Sequence, residues 1–547
     1  MSADGTTVDV LLRGGTVFDG LGAPGVVADV AIVGDRVVSI EPGLRVSARR
    51  VIDVDGLAVA PGFIDPHTHS DVVPFMADPQ PFKLRQGVTT EIVGNCGNSA
   101  APLVDETAVD LHRPISSTVV AGVTGRPRSF AEYLDDIEAA GPTNHVASLV
   151  GHHTLRMSAN GMTAELAEGA LERMCELAAD AFAAGAVGLS SGLIYAPGVY
   201  AEPGELVALA RVAARWHRPY ATHMRDEGFR VHDALEETLD VARRGGVRVQ
   251  VSHVKVAGLP NHGRSGEYLD ILAAARREGI DVLGDAYPYT TGETFLGALL
   301  PSALHEGGPG ELVPRLRDLS RREEWRQRAE AGRGGTPASG AWHQTTPAGI
   351  MVSMHLDASL PGRTIEQIAA DRGCSPWDAL CDIVADDPAS MMVFELQSQD
   401  DMRAFLADPL VAIGSDNSVP VRLAHQRGWG CFPTVLGRYV REEGVLELAE
   451  AIRKMTSLTA RQFGLAGRGI LAPGSIADVV VFDPETIGHP GTPLTPSVRP
   501  TGVPYVLLAG HIAIDGGEFD GGRNGRVLRA GQAERAPRVG AEKGTRG

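Results

Sequence analysis

Eight apolar runs separated by stretches of helical periodicity predict an α/β fold built on a (β/α)8, TIM-like barrel. Short β-rich stretches at both ends of the chain add a small β-sandwich domain formed from the N- and C-terminal segments. Residues of about 290–390 are too many for one connection, so they predict an inserted subdomain. A chain of 547 residues can bury a core for all three.

In order, residues 7–56 read as short strands over Val8–Leu12, Ala28–Val33, Arg36–Ile40 and Arg50–Val54, with turns at Gly14-Gly15 and Gly34-Asp35. Alternation and β-branched residues favour an antiparallel sheet. The eight barrel runs are Leu57–His69, Gly87–Cys96, His145–His152, Ala186–Leu193, Pro219–Arg225, Arg248–Lys255, Asp281–Tyr289 and Leu410–Asp416. Between them, Thr163 is placed to cap a helix carrying Leu166, Ala170, Met174, Leu177 and Ala181 and stopped near Gly185. Glu205–His217 and Val231–Arg244 read as further helices. Met391–Leu396 competes for the eighth strand, but Leu410–Asp416 ends in an acid where barrel chemistry collects and is preferred. A helical stretch near Leu446–Phe463 leads back to strands at Val479–Asp483, Pro504–Leu508, Ile512–Ile514 and Arg526–Leu528. The predicted division is therefore 1–56 (N-terminal part of the small β domain), 57–463 (barrel, insertion at about 290–390), 464–529 (C-terminal part of the small domain) and 530–547 (disordered tail).

Composition narrows the function. With 50 Lys+Arg against 68 Asp+Glu, a formal −18, the chain is a poor ligand for a nucleic-acid backbone or an anionic membrane. No apolar run reaches the ~18 residues of a bilayer span, and Met1-Ser2-Ala3-Asp4-Gly5 has no secretory pattern. Five well-separated cysteines argue against a disulfide framework and for a reducing, cytoplasmic setting. The expected partner is a small-molecule substrate; oligomeric state has no signature here.

Reading the carboxyl ends of the predicted strands gives His67 and His69 on the first and Cys96 on the second. His223 stands on the fifth, His253 on the sixth and Asp416 on the eighth. His67 and His69, two apart in extended chain, project to one side. Four imidazoles, a thiol and a carboxylate at equivalent positions form a donor set suited to zinc. Asp416 is then the group to take a proton from water and return it to a leaving amine. Lys255, two residues past His253, shares its face and is a candidate partner for a substrate carboxylate.

Pro66-His67-Thr68-His69, Gly94-Asn95-Cys96-Gly97, Thr222-His223-Met224-Arg225, Ser252-His253-Val254-Lys255 and Gly414-Ser415-Asp416 together resemble the amidohydrolase superfamily. More narrowly they are similar to the D-aminoacylases (N-acyl-D-amino-acid deacylases), over most of the chain. Strand four, Gly188-Leu189-Ser190-Ser191-Gly192-Leu193, lacks the bridging lysine usual in hydantoinases and dihydroorotases. The resemblance implies that Cys96, His223 and His253 hold one tightly bound Zn2+. His67, His69 and Asp416 then frame a second, weaker or vacant position. It further implies zinc-dependent hydrolysis of N-acyl-D-amino acids, with Tyr287 near the substrate carboxylate, His152 beside the oxyanion and Arg156 on a carboxylate. Glu293 stands where the family has a serine, an extra anion that would repel an acidic substrate unless a cation pairs with it. Two alternatives remain: a cyclic-amide hydrolase of hydantoinase or dihydroorotase type, and a catalytically silent barrel serving as an assembly subunit.

Overall fold

The computed structural model describes residues 7–78, 80–115, 125–331, 340–419 and 423–531; the predicted tail, 530–547, falls almost wholly outside them. Eight parallel strands pair in chain order: Phe63–Asp65, Val88–Val93, His145–Gly151, Gly188–Gly192, Tyr220–His223, Val249–Val251, Val282–Ala286 and Val411–Ile413. Every residue in them is buried, which is why they read as continuous apolar runs rather than alternating ones. Strands one and eight meet just past their ends through a parallel bridge between Thr68 and Asn417. There Asp416 N donates to His67 O and His69 N to Asn417 O, both at 2.8 Å. Asp65 pins this seam, accepting from Ser415 N (2.9 Å) and from the buried Lys83 Nζ (2.6 Å).

The run Leu57–His69 is two strands. Ala58–Pro61 belongs to the outer sheet, where it pairs with Val8–Val17 and Val479–Phe482; only Phe63–Asp65 enters the barrel. The switch falls at Gly62, whose N–H donates to Asp478 O and where a Cβ would lie 2.3 Å from the Thr89 side chain. The outer sheet has nine strands drawn from both ends of the chain. It is mixed rather than antiparallel, because the chain crosses back after Arg36–Glu41 and Ala48–Asp53 enters parallel to Val8–Val17. The predicted turn at Gly14-Gly15 is a bulge inside one long strand, with Gly14 at φ 79°. Arg526–Leu528 is not a strand of this sheet. It lies along the third barrel strand, bridged at Val527 to Val146.

Thr163 does not cap a helix; the helix is Ala170–Ala184, opened by Gly169 in the left-handed region and closed by Gly185. The helices Pro203–Arg215 and Val231–Gly245 lie where expected. In the insertion, Thr291–Phe295, Met391–Glu395 and Ile350–Met354 form an antiparallel sheet with Met391–Glu395 at its centre, backed by its own apolar core around Leu380, Ile383 and Phe394. That is the rival eighth strand, resolved into a separate sheet.

Candidate metal centre

Each candidate ligand stands at or just beyond the carboxyl end of its strand, where the chain turns sharply. Among the described residues five non-glycines have positive φ, and three of them are Cys96 (50°), His253 (35°) and Asp416 (50°). Left-handed backbone at non-glycine positions is unfavourable and persists where surroundings over-determine it. Around Cys96 the surroundings are visible. Ser190 Oγ donates to Gly94 O and accepts from Gly97 N, bracing the loop from strand four. Gly192 closes against it, since a Cβ there would lie 2.4 Å from Cys96 O. At position 192, at the end of strand four, the cysteine loop thus leaves no room for a side chain.

The six donors converge. Cys96 Sγ lies 3.9 Å from His223 Nδ1, 3.6 Å from His253 Nε2 and 3.2 Å from His67 Nε2. Asp416 Oδ1 lies 3.4 Å from His67 Nε2 and 3.3 Å from His69 Nε2. Tetrahedral zinc with sulfur and nitrogen ligands separates its donors by about 3.5 Å, close to the distances from Cys96 Sγ to His253 Nε2 and to His67 Nε2, with His223 Nδ1 slightly farther out. Among the described residues, donor atoms of His67, Cys96, His253 and Asp416 fall within 4.8 Å of one another. Burial alone would raise the Cys96 thiol pKa, but His67, His223 and His253 outweigh it and hold the thiol well below its usual range. Burial likewise opposes ionisation of Asp416, yet Arg427, His67 and His253 keep it well below the usual carboxylate range.

An outer ring orients these ligands. Asp285 accepts from His67 Nδ1 (3.2 Å) and from His253 N (2.8 Å), tying strand seven to strands one and six. Glu227 sits beside His253 and His223, 2.9 Å from His253 Nδ1 and 3.5 Å from His223 Nε2. Its main chain is fixed by a turn in which Asp226 Oδ1 accepts from Gly228 N and Arg230 N. Arg427 Nη1 holds Asp416 Oδ2 at 2.7 Å. Neither Glu227 nor Arg427 was anticipated from sequence. The only signal for Glu227 was its position four residues past His223; Arg427 lies eleven residues past Asp416 with no marking pattern in the sequence.

Lys255 and Tyr287 do line the cavity above the centre. Lys255 is not a solitary cation, however: Nζ is 2.7 Å from Glu227 Oε1 and 2.7 Å from His253 Nδ1. The Tyr287 ring lies between Arg427 (4.8 Å from its centroid) and Lys255 (5.9 Å). His152 and Arg156 do not reach the cavity. The helix His152–Asn160 starts at once after strand three, and residues four apart share one helical face. That face meets Glu205, with His152 Nε2 at 2.6 Å and Arg156 Nη1 at 2.5 Å, and Arg156 also donates to Thr163 O and Ala164 O. About 1420 Å³ of empty space, part of it open solvent, lies among the lining residues. The insertion forms one wall through Phe295, Met391, Phe394 and Leu396.

A buried cysteine–histidine–aspartate centre at the mouth of a (β/α)8 barrel, with a two-ended sheet domain beside it, defines a metal-dependent amidohydrolase. The match to the family model described as "Amidohydrolase family" spans residues 50–514, and the chain belongs to that family. D-aminoacylase of Alcaligenes xylosoxydans xylosoxydans is 36% identical over 527 residues, covering 96% of this chain and 98% of the relative. N-acyl-D-glutamate deacylase of the same organism is 37% identical over 529 residues, covering 95% and 96%. The crystal structure of N-acyl-D-glutamate deacylase from Bordetella bronchiseptica, complexed with zinc and a phosphonate mimic of the tetrahedral intermediate, superposes with a TM-score of 0.81. It is 33% identical and is matched over 96% of this chain and 100% of its own.

Proposed function

We propose that this enzyme hydrolyses the amide bond of N-acyl-D-amino acids, releasing a carboxylate and a free D-amino acid. The observation that carries the reading is the convergence of His67, Cys96, His253 and Asp416 donor atoms within 4.8 Å of one another, with His223 Nδ1 3.9 Å from the Cys96 sulfur. In this reading Cys96, His223 and His253 hold one tightly bound zinc, and His67, His69 and Asp416 frame a weaker second position. Bound there, zinc supplies a Lewis acid that makes hydroxide available near neutral pH and polarises the amide carbonyl.

The rest is done by the chain. Asp416 turns Oδ1 toward the centre while Arg427 holds Oδ2, so its carboxylate is ionised and fixed in rotation. It accepts the proton of the attacking water and delivers it to the departing amine, base first and acid second. Glu227 and Lys255 both lie against His253 Nδ1, and the contact fixes the ring with Nε2 facing Cys96. Lys255 and Tyr287 receive the α-carboxylate at the cavity wall; the D preference is taken over from the relatives. Strand four, Gly188–Gly192, holds no lysine and packs Gly192 on Cys96 O, which counts against the cyclic-amide alternative. No described helix is long and apolar enough to cross a membrane, and all five cysteines are unbridged, which supports a cytoplasmic setting.

The test is turnover of N-acetyl-D- and N-acetyl-L-amino acids by zinc-loaded and chelator-treated protein. Hydrolysis of the D-series alone, lost with the metal and restored by zinc, is expected. In Asp416→Asn, zinc content is retained and kcat falls roughly 10³-fold; unchanged kcat would remove Asp416 from the reaction.

A further inference from the structure

A second space of different character lies beside the cavity. About 730 Å³ of empty volume, part of it open solvent, lies among Met162, Leu300, Leu312 and Pro388, with Ser302 and His305 as polar members. Among the described residues no Asp, Glu, Lys or Arg lines it. His305 has Nε2 3.0 Å from Gly297 O, and burial lowers its pKa to about 4, so it is neutral at neutral pH. The main cavity is the opposite case. Lys255, Arg427, Glu227 and Asp416 line it, as does Glu293, whose carboxyl is bonded to Ser418 Oγ at 2.7 Å.

Five residues line both spaces: Asn98, Ile194, Tyr195, Phe295 and Ala298. All five are half-buried, so a single layer of partly exposed side chains stands between the two. Tyr195 is the fixed member of that layer. Its ring meets His223 edge-on with centroids 5.1 Å apart, and its hydroxyl lies 2.8 Å from Thr294 Oγ1. The side chains of Ile194, Phe295 and Ala298 carry no polar atom, so rotation of the larger two breaks no hydrogen bond.

Barrel order decides which half of a substrate faces this wall. Lys255 and Tyr287, which receive the α-carboxylate, follow strands six and seven, and Asp416, which returns the proton to the amine, follows strand eight. Asn98 follows strand two, and Ile194 and Tyr195 follow strand four. In an eight-stranded barrel these two groups of loops face each other across the mouth. With the scissile carbonyl at the metal centre, the amino-acid half lies toward strands six to eight. The acyl half then points across the mouth, at Tyr195 and the space behind it.

We propose that the second space is an acyl-chain site, and that the enzyme's substrates are N-acyl-D-amino acids whose acyl group is an unbranched aliphatic chain longer than acetyl. This rests on the hydrolase reading above and adds the class of acyl group to it. Each methylene moved from water into such surroundings favours binding. A charged group placed there would lose its hydration with no described charged partner to replace it. Hydrolysis puts the water oxygen on the acyl carbon and the proton on the amine, so the chain leaves as a fatty carboxylate.

The experiment measures kcat/KM for N-acetyl-, N-butyryl- and N-octanoyl-D-leucine with zinc-loaded wild type, with Ala298→Phe in the shared wall and with Leu312→Phe, which lines the second space alone. Wild type should gain about a hundredfold or more from acetyl to octanoyl. Each variant that retains its zinc should lower the octanoyl-to-acetyl ratio about tenfold or more. The wild-type series stands as a test even where a variant fails to fold. No gain with chain length in wild type, or a ratio unmoved in the folded variants, overturns the inference. Variants that instead depress N-acetyl-D-leucine relative to N-acetyl-D-alanine assign the space to the amino-acid side chain and also overturn it. Absence of turnover on every compound defeats the hydrolase reading and this inference with it, whereas turnover of the acetyl compound with no preference for octanoyl defeats this inference alone.

Discussion

Glu227 and Glu205 are each buried beside a histidine and a long cation. Glu227 faces His253 and Lys255, and Glu205 faces His152 and Arg156, all within hydrogen-bonding distance. What separates them is the far side of the histidine. His253 presents its other nitrogen to Cys96 at 3.6 Å, in the cavity. His152 lies on a helix face that packs against the helix Pro203–Arg215, and the cavity lining does not include it. Composition of a buried polar cluster thus says little about its role; what the second nitrogen meets says a great deal.

The contrast gives graded predictions. Removing the sulfur donor on the cavity side, Cys96→Ala, should strip zinc from the protein on dialysis against a chelator, read by metal analysis; normal zinc content would move the tight site elsewhere. Glu227→Gln should leave the ligands in place but weaken their orientation, lowering zinc affinity by about 10- to 100-fold in chelator competition. On the other side, Glu205→Gln should leave zinc affinity unchanged. It breaks a buried ion pair and strands Arg156, so stability should fall by roughly 3–5 kcal/mol in chemical denaturation. A Glu205 variant that lost metal while keeping its stability would erase the distinction.

The same contrast marks how far the sequence can be read. The eight barrel runs were legible because strands buried on both faces are apolar throughout, and their ends stand out as abrupt polar residues: His67, Cys96, His223, His253, Asp416. The outer ring was not. Glu227 depends on how the chain turns back after strand five, and Arg427 on where the helix Arg427–Thr434 begins relative to Asp416; neither leaves a periodic pattern. His152 and Arg156 show the converse. Their motif borders strand three, but the helix His152–Asn160 carries both on a face that meets Glu205, away from the cavity lining. Gly62 misled the boundary, since one continuous apolar run serves two sheets.

The smallest expected effect separates histidines held beside carboxylates from a half-buried one without such a partner. His305 lies in the insertion, with Nε2 3.0 Å from Gly297 O and no described acid paired to it. Burial lowers its pKa from 6.5 to about 4, outweighing the favourable contact with Gly297 O. The unfolded chain therefore binds a proton near pH 6.5 that the folded chain refuses until near pH 4. Stability conferred by neutral His305 is complete above that window and is lost as the pH falls through it, up to about 3 kcal/mol. Asp71, raised by burial to about 6, titrates in the same range with the opposite sign, so the total slope is a poor readout. The difference between wild type and His305→Gln is the useful one. The gap between their denaturation midpoints should shift in favour of the variant from pH 7 to pH 5. A gap that stayed constant across that interval would mean that His305 accepts its proton in the folded enzyme.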